Sequence, residues 1–293
     1  MSIRIWLPCL AAGALLTAPA HAAVSYVALG DSYTSAPLVP DASGSLVPYG
    51  TPLGCDRSGQ NYPRLVAQAT GMALTDVSCG GAVVANMTQP QFAGDGFNSP
   101  QLNAVGLGAQ VVTISIGGND FSLGEYVAVC APLGAADPYG APCKAVYTAG
   151  GTDQSVQNAA AVQTKVAAVV AQARQQAPGA RILVVGYPDL LPQYATTSCY
   201  FNYGVTIAAG DVPYLDHVNQ LLNQALANAA AANGVEFVDT YTSSVGHDMC
   251  EPSGVRWVEG FNPTDAGQVV TPVHPNLYGT RNAAAQLRAK LGY

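Results

Sequence analysis

The stretch YVALGDSY, residues 26–33, decides the predicted fold because an apolar strand runs directly into Gly-Asp-Ser. Val27, Ala28 and Leu29 predict a buried strand, and Gly30 allows the sharp turn that follows it. Ser32 would then lie at the carboxyl end of the strand, where open α/β sheets bind ligands. A serine there is a candidate nucleophile. The alternative is that Asp31 or Ser32 only caps a helix after an ordinary strand.

Two segments further along the chain carry side chains that a nucleophilic serine needs. Residues 111–120, VVTISIGGND, form a β-branched strand that ends in glycines and Asn119. The Asn119 amide could stabilise an oxyanion, or it could be a turn residue that tolerates left-handed geometry. Residues 271–276, TPVHPN, place His274 just before an amphipathic helix over 277–291. Histidine is the usual general base, although a lone histidine is more often structural.

These blocks, in this order and in this strand context, resemble the SGNH (GDSL) hydrolase superfamily. Its four blocks carry Ser, Gly, Asn and His, and the matching positions here are Ser32, Gly81, Asn119 and His274. The glycine lies in SCGGA, residues 78–82, where Gly80 is the second choice. Finer details resemble the secreted actinobacterial lipase and esterase branch: NYP at 61–63, CGGA at 79–82, GHD at 246–248 with Cys250, and RW at 256–257.

The resemblance implies a serine esterase or lipase acting on carboxylic esters of fatty acids, including glycerides or phospholipids. Ser32 attacks the acyl carbonyl and His274 moves the proton. The backbone N–H groups of Ser32 and Gly81 form the oxyanion hole with the Asn119 side chain. We expect no cofactor, no metal and a monomer.

One position departs from the family pattern, which usually has Asp three residues before the histidine. Here that residue is Thr271. The actinobacterial branch implies a substitute, a main-chain carbonyl at this position that orients the ring, and we therefore expect the Thr271 carbonyl to do so. Asp265, reached by a loop that folds back, is the weaker candidate. Asp31 is adjacent to Ser32, so we expect its side chain to bond the turn backbone instead.

The N-terminal region predicts export. Residues 1–22 have the pattern of a signal peptide, with Arg4, an apolar core and an Ala-His-Ala cleavage site, and the apolar run is too short for a transmembrane anchor. Its removal takes away one of 11 basic residues and none of 18 acidic ones, so the net charge changes from −7 to −8. This charge argues against nucleic acid and anionic membranes as partners. We expect a secreted protein, extracellular or periplasmic, without an integral membrane segment.

Cysteine usage agrees with an oxidising compartment. Of the seven cysteines, Cys9 lies in the signal peptide and six remain, which predicts three disulfides with 15 possible pairings. The family resemblance implies pairing of neighbours along the chain: Cys55 with Cys79, Cys130 with Cys143, and Cys199 with Cys250. A metal site at Cys250 and His247 is the alternative, but no ligand pair with metal-site spacing supports it.

Strands alternate with helices along residues 23–293, which predicts one α/β domain with a parallel sheet covered on both faces. We expect strands near 24–29, 72–77, 111–116, 182–186 and 235–238, and helices near 61–70, 153–176, from 211, and 277–291. The family resemblance adds a three-layer α/β/α sandwich with five strands in flavodoxin-like order. Residues 1–22 are excluded from this domain.

The sequence lacks the motifs of two other enzyme classes. No segment carries the G-x-S-x-G sequence of α/β-hydrolases or the G-x-G-x-x-G turn of dinucleotide-binding enzymes. A carbohydrate acetylesterase of the same fold and an inactive secreted binding module remain open. Loops 36–54 and 190–210 are rich in Leu, Pro, Tyr and Phe and could line an acyl groove, with Leu191 and Phe201 as examples. Ordinary surface packing is the alternative.

Overall fold

A computed structural model describes residues 1–2, 22–194, 197–201 and 205–293, with the Phe201 side chain excluded. The predicted signal peptide lies almost wholly outside the described residues. The strands are β1 (Ser25–Gly30), β2 (Ala73–Asp76), β3 (Gln91–Phe92), β4 (Phe97–Asn98), β5 (Val111–Ser115), β6 (Arg181–Val185), β7 (Cys199–Phe201), β8 (Val205–Ile207), β9 (Glu236–Val238), β10 (Thr264–Asp265) and β11 (Gln268–Val269). The helices are α1 (Ser32–Ser35), α2 (Tyr62–Thr70), α3 (Leu123–Ala136), α4 (Pro142–Tyr147), α5 (Gln154–Gln176), α6 (Val212–Ala232) and α7 (Leu277–Leu291).

The central sheet has five parallel strands in the order β2-β1-β5-β6-β9. In chain order this is 2-1-3-4-5, so the predicted flavodoxin-like arrangement is confirmed. Each of these strands lies within about two residues of its predicted bounds. The carboxyl ends of β1, β5 and β6 therefore meet at one edge, and that edge carries Ser32, Asn119 and the turn after β6.

Side chains of the central strands alternate between two cores, one on each face of the sheet. Val27 and Leu29 of β1 face a core that includes α5 and α6, whereas Tyr26 and Ala28 face a second core with α2 and α7. Helix α5 buries an apolar stripe, and so does α6: Val162, Val166, Val169, Val170 and Ala173 on α5, and Leu215, Val218, Leu222, Ala225 and Ala229 on α6. Helices α5 and α6 therefore form one outer layer of the sandwich, and α2 and α7 form the other.

Three disulfides join the cysteines in the pairs that the family resemblance implied: Cys55–Cys79, Cys130–Cys143 and Cys199–Cys250. All three lie outside the central sheet: the Cys130–Cys143 bridge joins α3 to α4, and the Cys199–Cys250 bridge starts at the first residue of β7. Each loop closure restricts the unfolded chain and stabilises the fold by about 2–4 kcal/mol.

The alternation of strands and helices did not predict α3, α4 or the small antiparallel hairpins. Helix α3 contains Pro132 and has apolar residues on most sides, so its sequence lacks a clear helical stripe. Among the helices in the described part of the chain, none combines the length and the hydropathy that crossing a membrane requires.

Candidate active site

Ser32 begins the short helix α1 at the end of β1, with its side chain at the sheet edge. Asp31 caps this helix, and its carboxylate accepts the Tyr33 backbone N–H at 2.9 Å. The expected bond from Asp31 to the turn backbone is therefore present. The cap fixes the first turn of α1 and with it the direction of the Ser32 side chain.

His274 lies directly opposite Ser32, although 242 residues separate them along the chain. Its Nε2 atom is 2.8 Å from the Ser32 hydroxyl oxygen. Its Nδ1 atom is 2.8 Å from the carbonyl oxygen of Pro272. With the proton on Nδ1 bonded to this carbonyl, Nε2 has a free lone pair toward the serine hydroxyl.

The carbonyl at Nδ1 belongs to Pro272, so the prediction of the Thr271 carbonyl was wrong by one residue. The Thr271 carbonyl instead accepts the His274 backbone N–H at 3.3 Å, which closes a tight turn. In this turn Val273 has a φ of 61°, a left-handed conformation that is unusual for a β-branched residue. The turn folds the chain back so that the Pro272 carbonyl, and not that of Thr271, reaches the ring.

Asp265 does not contact His274 either. One of its carboxylate oxygens lies 2.9 Å from the Arg256 guanidinium, and the other accepts the Ser253 hydroxyl at 2.8 Å. Asp265 belongs to the β10–β11 hairpin, which this ion pair ties to the preceding loop. The fold-back that would make Asp265 the histidine's partner is therefore not present.

Tyr33 supports the histidine and was not singled out from the sequence. Its ring stacks on the imidazole with centroids 5.0 Å apart, and its hydroxyl donates to the Val273 carbonyl at 2.6 Å. This bond holds the left-handed turn next to the ring. Desolvation lowers the pKa of His274, and the Pro272 carbonyl opposes that effect in part. The imidazole is therefore neutral at pH 7, as a general base has to be.

Gly81 and Asn119 border the same cavity as Ser32 and His274. Gly81 has a φ of 73°, which favours glycine. The Gly80 N–H donates to the Cys55 carbonyl at 2.9 Å, whereas the Gly81 N–H has no backbone acceptor among the described residues. The Asn119 amide donates one hydrogen to the Ala82 carbonyl at 2.8 Å, and its second hydrogen is free to face the cavity.

A buried polar chain connects the Ser32 turn to the Asn119 turn. The Tyr187 hydroxyl accepts the Gly118 backbone N–H at 2.8 Å and donates to the Asp31 carboxylate. Burial raises the pKa of Asp31 to about 7, and the hydrogen bond from Tyr187 opposes this rise. Tyr187 lies just after β6, and no sequence motif marks this position.

The cavity in front of Ser32 has a volume of about 540 Å³ and is lined by both polar and apolar residues. Its apolar wall consists of Pro37 and Leu38 from the loop after α1, and Leu123 and Val127 from α3. Loop 36–54 thus contributes as expected, but in the described residues loop 190–210 does not. Leu191 is buried in the core, and the Phe201 side chain lies outside the described part of the structure.

The two residues of the alternative metal site, His247 and Cys250, make contacts that stabilise the fold. His247 stacks on Trp257 with centroids 3.7 Å apart and bonds the Val255 carbonyl through Nδ1 at 2.7 Å. Cys250 is in a disulfide. No group of three or more His, Cys, Asp or Glu side chains within the described ranges is arranged to hold a metal ion.

Comparisons with known proteins identify the family to which the chain belongs. The sequence profile of the GDSL-like lipase/acylhydrolase family matches residues 28–281. Lipase 2 of Streptomyces coelicolor is 39% identical over 95% of this chain and 92% of its own length. Lipase 1 of the same organism is 30% identical over 88% of this chain and 90% of its own length.

Two solved structures resemble the whole domain. Phospholipase A1 from Streptomyces albidoflavus NA297 superposes with a TM-score of 0.68 at 26% identity, covering 92% of this chain and 100% of that one. The extracellular lipase from Streptomyces rimosus gives a TM-score of 0.66 at 25% identity, covering 91% and 99%. The chain is a carboxylic ester hydrolase and belongs to the GDSL-like lipase/acylhydrolase family.

Proposed function

We propose that this protein is an exported serine lipase or esterase in which Ser32 and His274 form the catalytic dyad. The observation that carries the proposal is the 2.8 Å contact between the Ser32 hydroxyl and His274 Nε2, two groups that border the same cavity. This distance lies within the range for direct proton transfer from a nucleophile to its base.

The reaction takes place in two halves. His274 accepts the Ser32 proton as the serine oxygen bonds to the acyl carbon, and the imidazolium then donates that proton to the departing alkoxide. The ester C–O bond breaks and an acyl-serine remains. Water, deprotonated by His274, attacks the acyl carbon, and the imidazolium donates that proton to the Ser32 oxygen as the acyl-serine C–O bond breaks and the fatty acid leaves.

Negative charge on the carbonyl oxygen is stabilised by three donors: the backbone N–H groups of Ser32 and Gly81 and the Asn119 side chain. Such donors act mainly when charge develops in the transition state. Gly81 suits this role because its own N–H has no backbone acceptor among the described residues, whereas that of Gly80 has one.

The Pro272 carbonyl takes the place of the triad carboxylate. It holds the imidazole in the tautomer with a proton on Nδ1, and its dipole favours the imidazolium that forms during the reaction. A carbonyl carries less negative charge than a carboxylate, so the intact oxyanion hole has to supply more of the rate acceleration.

The substrate is an ester with an apolar acyl chain. The apolar wall of the cavity supports this assignment, as do relatives described as lipases and a phospholipase A1. Glycerides and phospholipids are the two substrate classes that we propose. Export is supported by the signal-peptide pattern of residues 1–22, by three disulfides and by the relative described as extracellular.

The test combines labelling with kinetics. A fluorophosphonate probe should label Ser32, and Ser32→Ala should abolish hydrolysis of p-nitrophenyl esters while its unfolding transition stays close to that of the wild type. Ser35→Ala is the matched control, since Ser35 lies on the same short helix but outside the cavity. Full activity in Ser32→Ala, or labelling at another residue, would refute the dyad.

A substrate panel tests the acyl class. Esters with acyl chains of two to twelve carbons, triglycerides, phosphatidylcholine and acetylated sugars should be compared at equal enzyme concentration. Higher kcat/KM for chains longer than acetyl supports a lipase or esterase. A preference for acetylated sugars would instead support a carbohydrate acetylesterase.

A further inference from the structure

The hairpin formed by β3 and β4 presents two phenylalanines to solvent. Phe92 and Phe97 are directly paired across the strands, and their ring centroids are 5.3 Å apart. The two residues are 64% and 67% exposed, and the neighbouring Leu53 is 46% exposed. A contiguous exposed patch of large apolar side chains marks an interaction surface more often than a single exposed residue does.

The hairpin is firmly attached to the protein, so its exposed rings do not belong to a loosely held loop. The Asp95 carboxylate accepts the backbone N–H groups of Leu53 and Gly54 at 2.8 and 2.9 Å. The backbone of Gly54 approaches the hairpin so closely that a Cβ there would lie 1.7 Å from the Ala93 carbonyl oxygen. The two rings are therefore exposed to solvent on a hairpin that is firmly packed against the rest of the protein.

The hairpin also adjoins the proposed oxyanion hole. The Gln91 amide donates to the Gly80 carbonyl at 2.7 Å, and Gly80 precedes Gly81. The Gly80 N–H in turn bonds the Cys55 carbonyl, next to the Cys55–Cys79 disulfide. A surface that contacts Phe92 and Phe97 would thus lie beside the catalytic cavity.

We propose that Phe92 and Phe97 insert into the surface of a neutral or zwitterionic lipid aggregate and hold the cavity next to its substrate. This inference rests on the proposed function and adds the physical state of the substrate. Two phenyl rings and a leucine expose far less than the roughly 800 Å² per partner that a stable protein interface buries, whereas Phe and Leu side chains are among those that bury into a lipid–water boundary.

The charge of the surroundings selects the kind of lipid. Asp56 borders the cavity and Asp95 lies at the tip of the hairpin, and the whole chain carries a net charge of −7. An anionic membrane would be repelled, so binding must come from the apolar rings. Vesicles of zwitterionic phosphatidylcholine are therefore the appropriate probe of binding by the two rings.

Vesicle binding tests the inference without any turnover of lipid. In the Ser32→Ala background, cosedimentation with phosphatidylcholine vesicles should fall about tenfold or more for Phe92→Ser/Phe97→Ser, because each ring contributes apolar burial. Leu107→Ser is the control, since Leu107 is 87% exposed but lies before β5, at the opposite edge of the sheet. Equal binding by the double variant and the parent would overturn the proposal.

A second variant keeps the test valid if the double variant unfolds. Phe97→Trp should show fluorescence quenching by brominated phosphatidylcholine, and Leu107→Trp should show none. Equal quenching at both positions, stronger binding to anionic phosphatidylglycerol, or a dimer in sedimentation experiments that the double variant abolishes would each refute a neutral lipid surface as the occupant.

The kinetic experiment separates this inference from the proposed function. With Ser32 intact, Phe92→Ser/Phe97→Ser should hydrolyse dissolved p-nitrophenyl butyrate as the wild type does but lose activity on phosphatidylcholine vesicles. Loss on both substrates would contradict a purely interfacial role. If Ser32→Ala retained hydrolysis, the catalytic assignment would fail while the vesicle-binding result stood by itself.

Discussion

The hydroxyl of Tyr187 accepts the backbone N–H of Gly118 at 2.8 Å. The same hydroxyl donates to the carboxylate of Asp31, so one buried phenol connects the turn before Ser32 to the turn before Asn119. Both partners of this hydroxyl, Gly118 and Asp31, border the cavity. The arrangement sets the distance between the nucleophile and one oxyanion donor.

Removing this phenol should slow the chemical step. Tyr187→Phe leaves the Gly118 N–H without its acceptor, and we expect kcat to fall by ~10-fold or more with little change in KM, because a misplaced oxyanion donor costs transition-state stabilisation. The decrease in kcat is measured by steady-state kinetics with p-nitrophenyl butyrate. Tyr26→Phe is the matched control, since its buried hydroxyl bonds Thr113 within the sheet. Equal kinetic losses in both variants would indicate general destabilisation.

Loss of the Asn119 amide should also lower kcat. Asn119→Ala removes a donor that acts mainly on developing charge, and we expect a decrease of ~10²–10³ in kcat with a nearly constant KM. The amide also bonds the Ala82 carbonyl, so thermal unfolding must accompany the kinetics. A change confined to KM would make Asn119 a substrate-binding residue instead.

The partner of His274 can be tested with two neighbouring side chains. Since the Pro272 backbone carbonyl bonds Nδ1, Thr271→Ala and Asp265→Asn should each retain most of the wild-type kcat/KM. His274→Ala should lose nearly all of it. A loss of ~10⁴ in kcat for Asp265→Asn, the magnitude known for a triad carboxylate in a serine protease, would restore a triad if circular dichroism showed an intact fold.

Gly124 offers a steric probe of the apolar wall. It borders the cavity in the first turn of α3, and a Cβ built there meets no atom within 4 Å. Gly124→Leu should therefore fold normally, partly fill the cavity and shift the preference toward shorter acyl chains. Gly108→Leu is the control, because Gly108 is equally open but lies before β5. An unchanged chain-length profile would exclude this wall as the acyl site.

The pH dependence of kcat/KM should reflect the lowered pKa of His274. A general base is active in its neutral form, so activity is lost as pH falls through the pKa of the free enzyme. Desolvation lowers that pKa below the usual value of 6.5, and the midpoint of the acidic limb should lie below 6.5. A midpoint above 6.5 would argue that a carboxylate stabilises the imidazolium.

Local pattern determined much of the fold and the identity of the main site residues. The apolar runs before Ser32 and Asn119 are strands because their side chains are buried on both faces of the sheet. Parallel order then brings their carboxyl ends to one edge. The sequence alone therefore predicted which ends carry Ser32 and Asn119, and the resemblance supplied Gly81 and the disulfide pairs.

Only the tertiary structure decided the contacts that join distant or irregular segments. The backbone turn at Val273 selects Pro272 over Thr271 as the partner of His274, since a one-residue difference in a loop depends on φ and ψ and leaves no trace in residue spacing. Tyr187 reaches Asp31 across 156 positions. The hairpin that carries Phe92 and Phe97 is bonded to Gly80, the residue before Gly81, through the Gln91 side chain. Such contacts follow from packing of the whole chain, which periodicity in any single segment does not record.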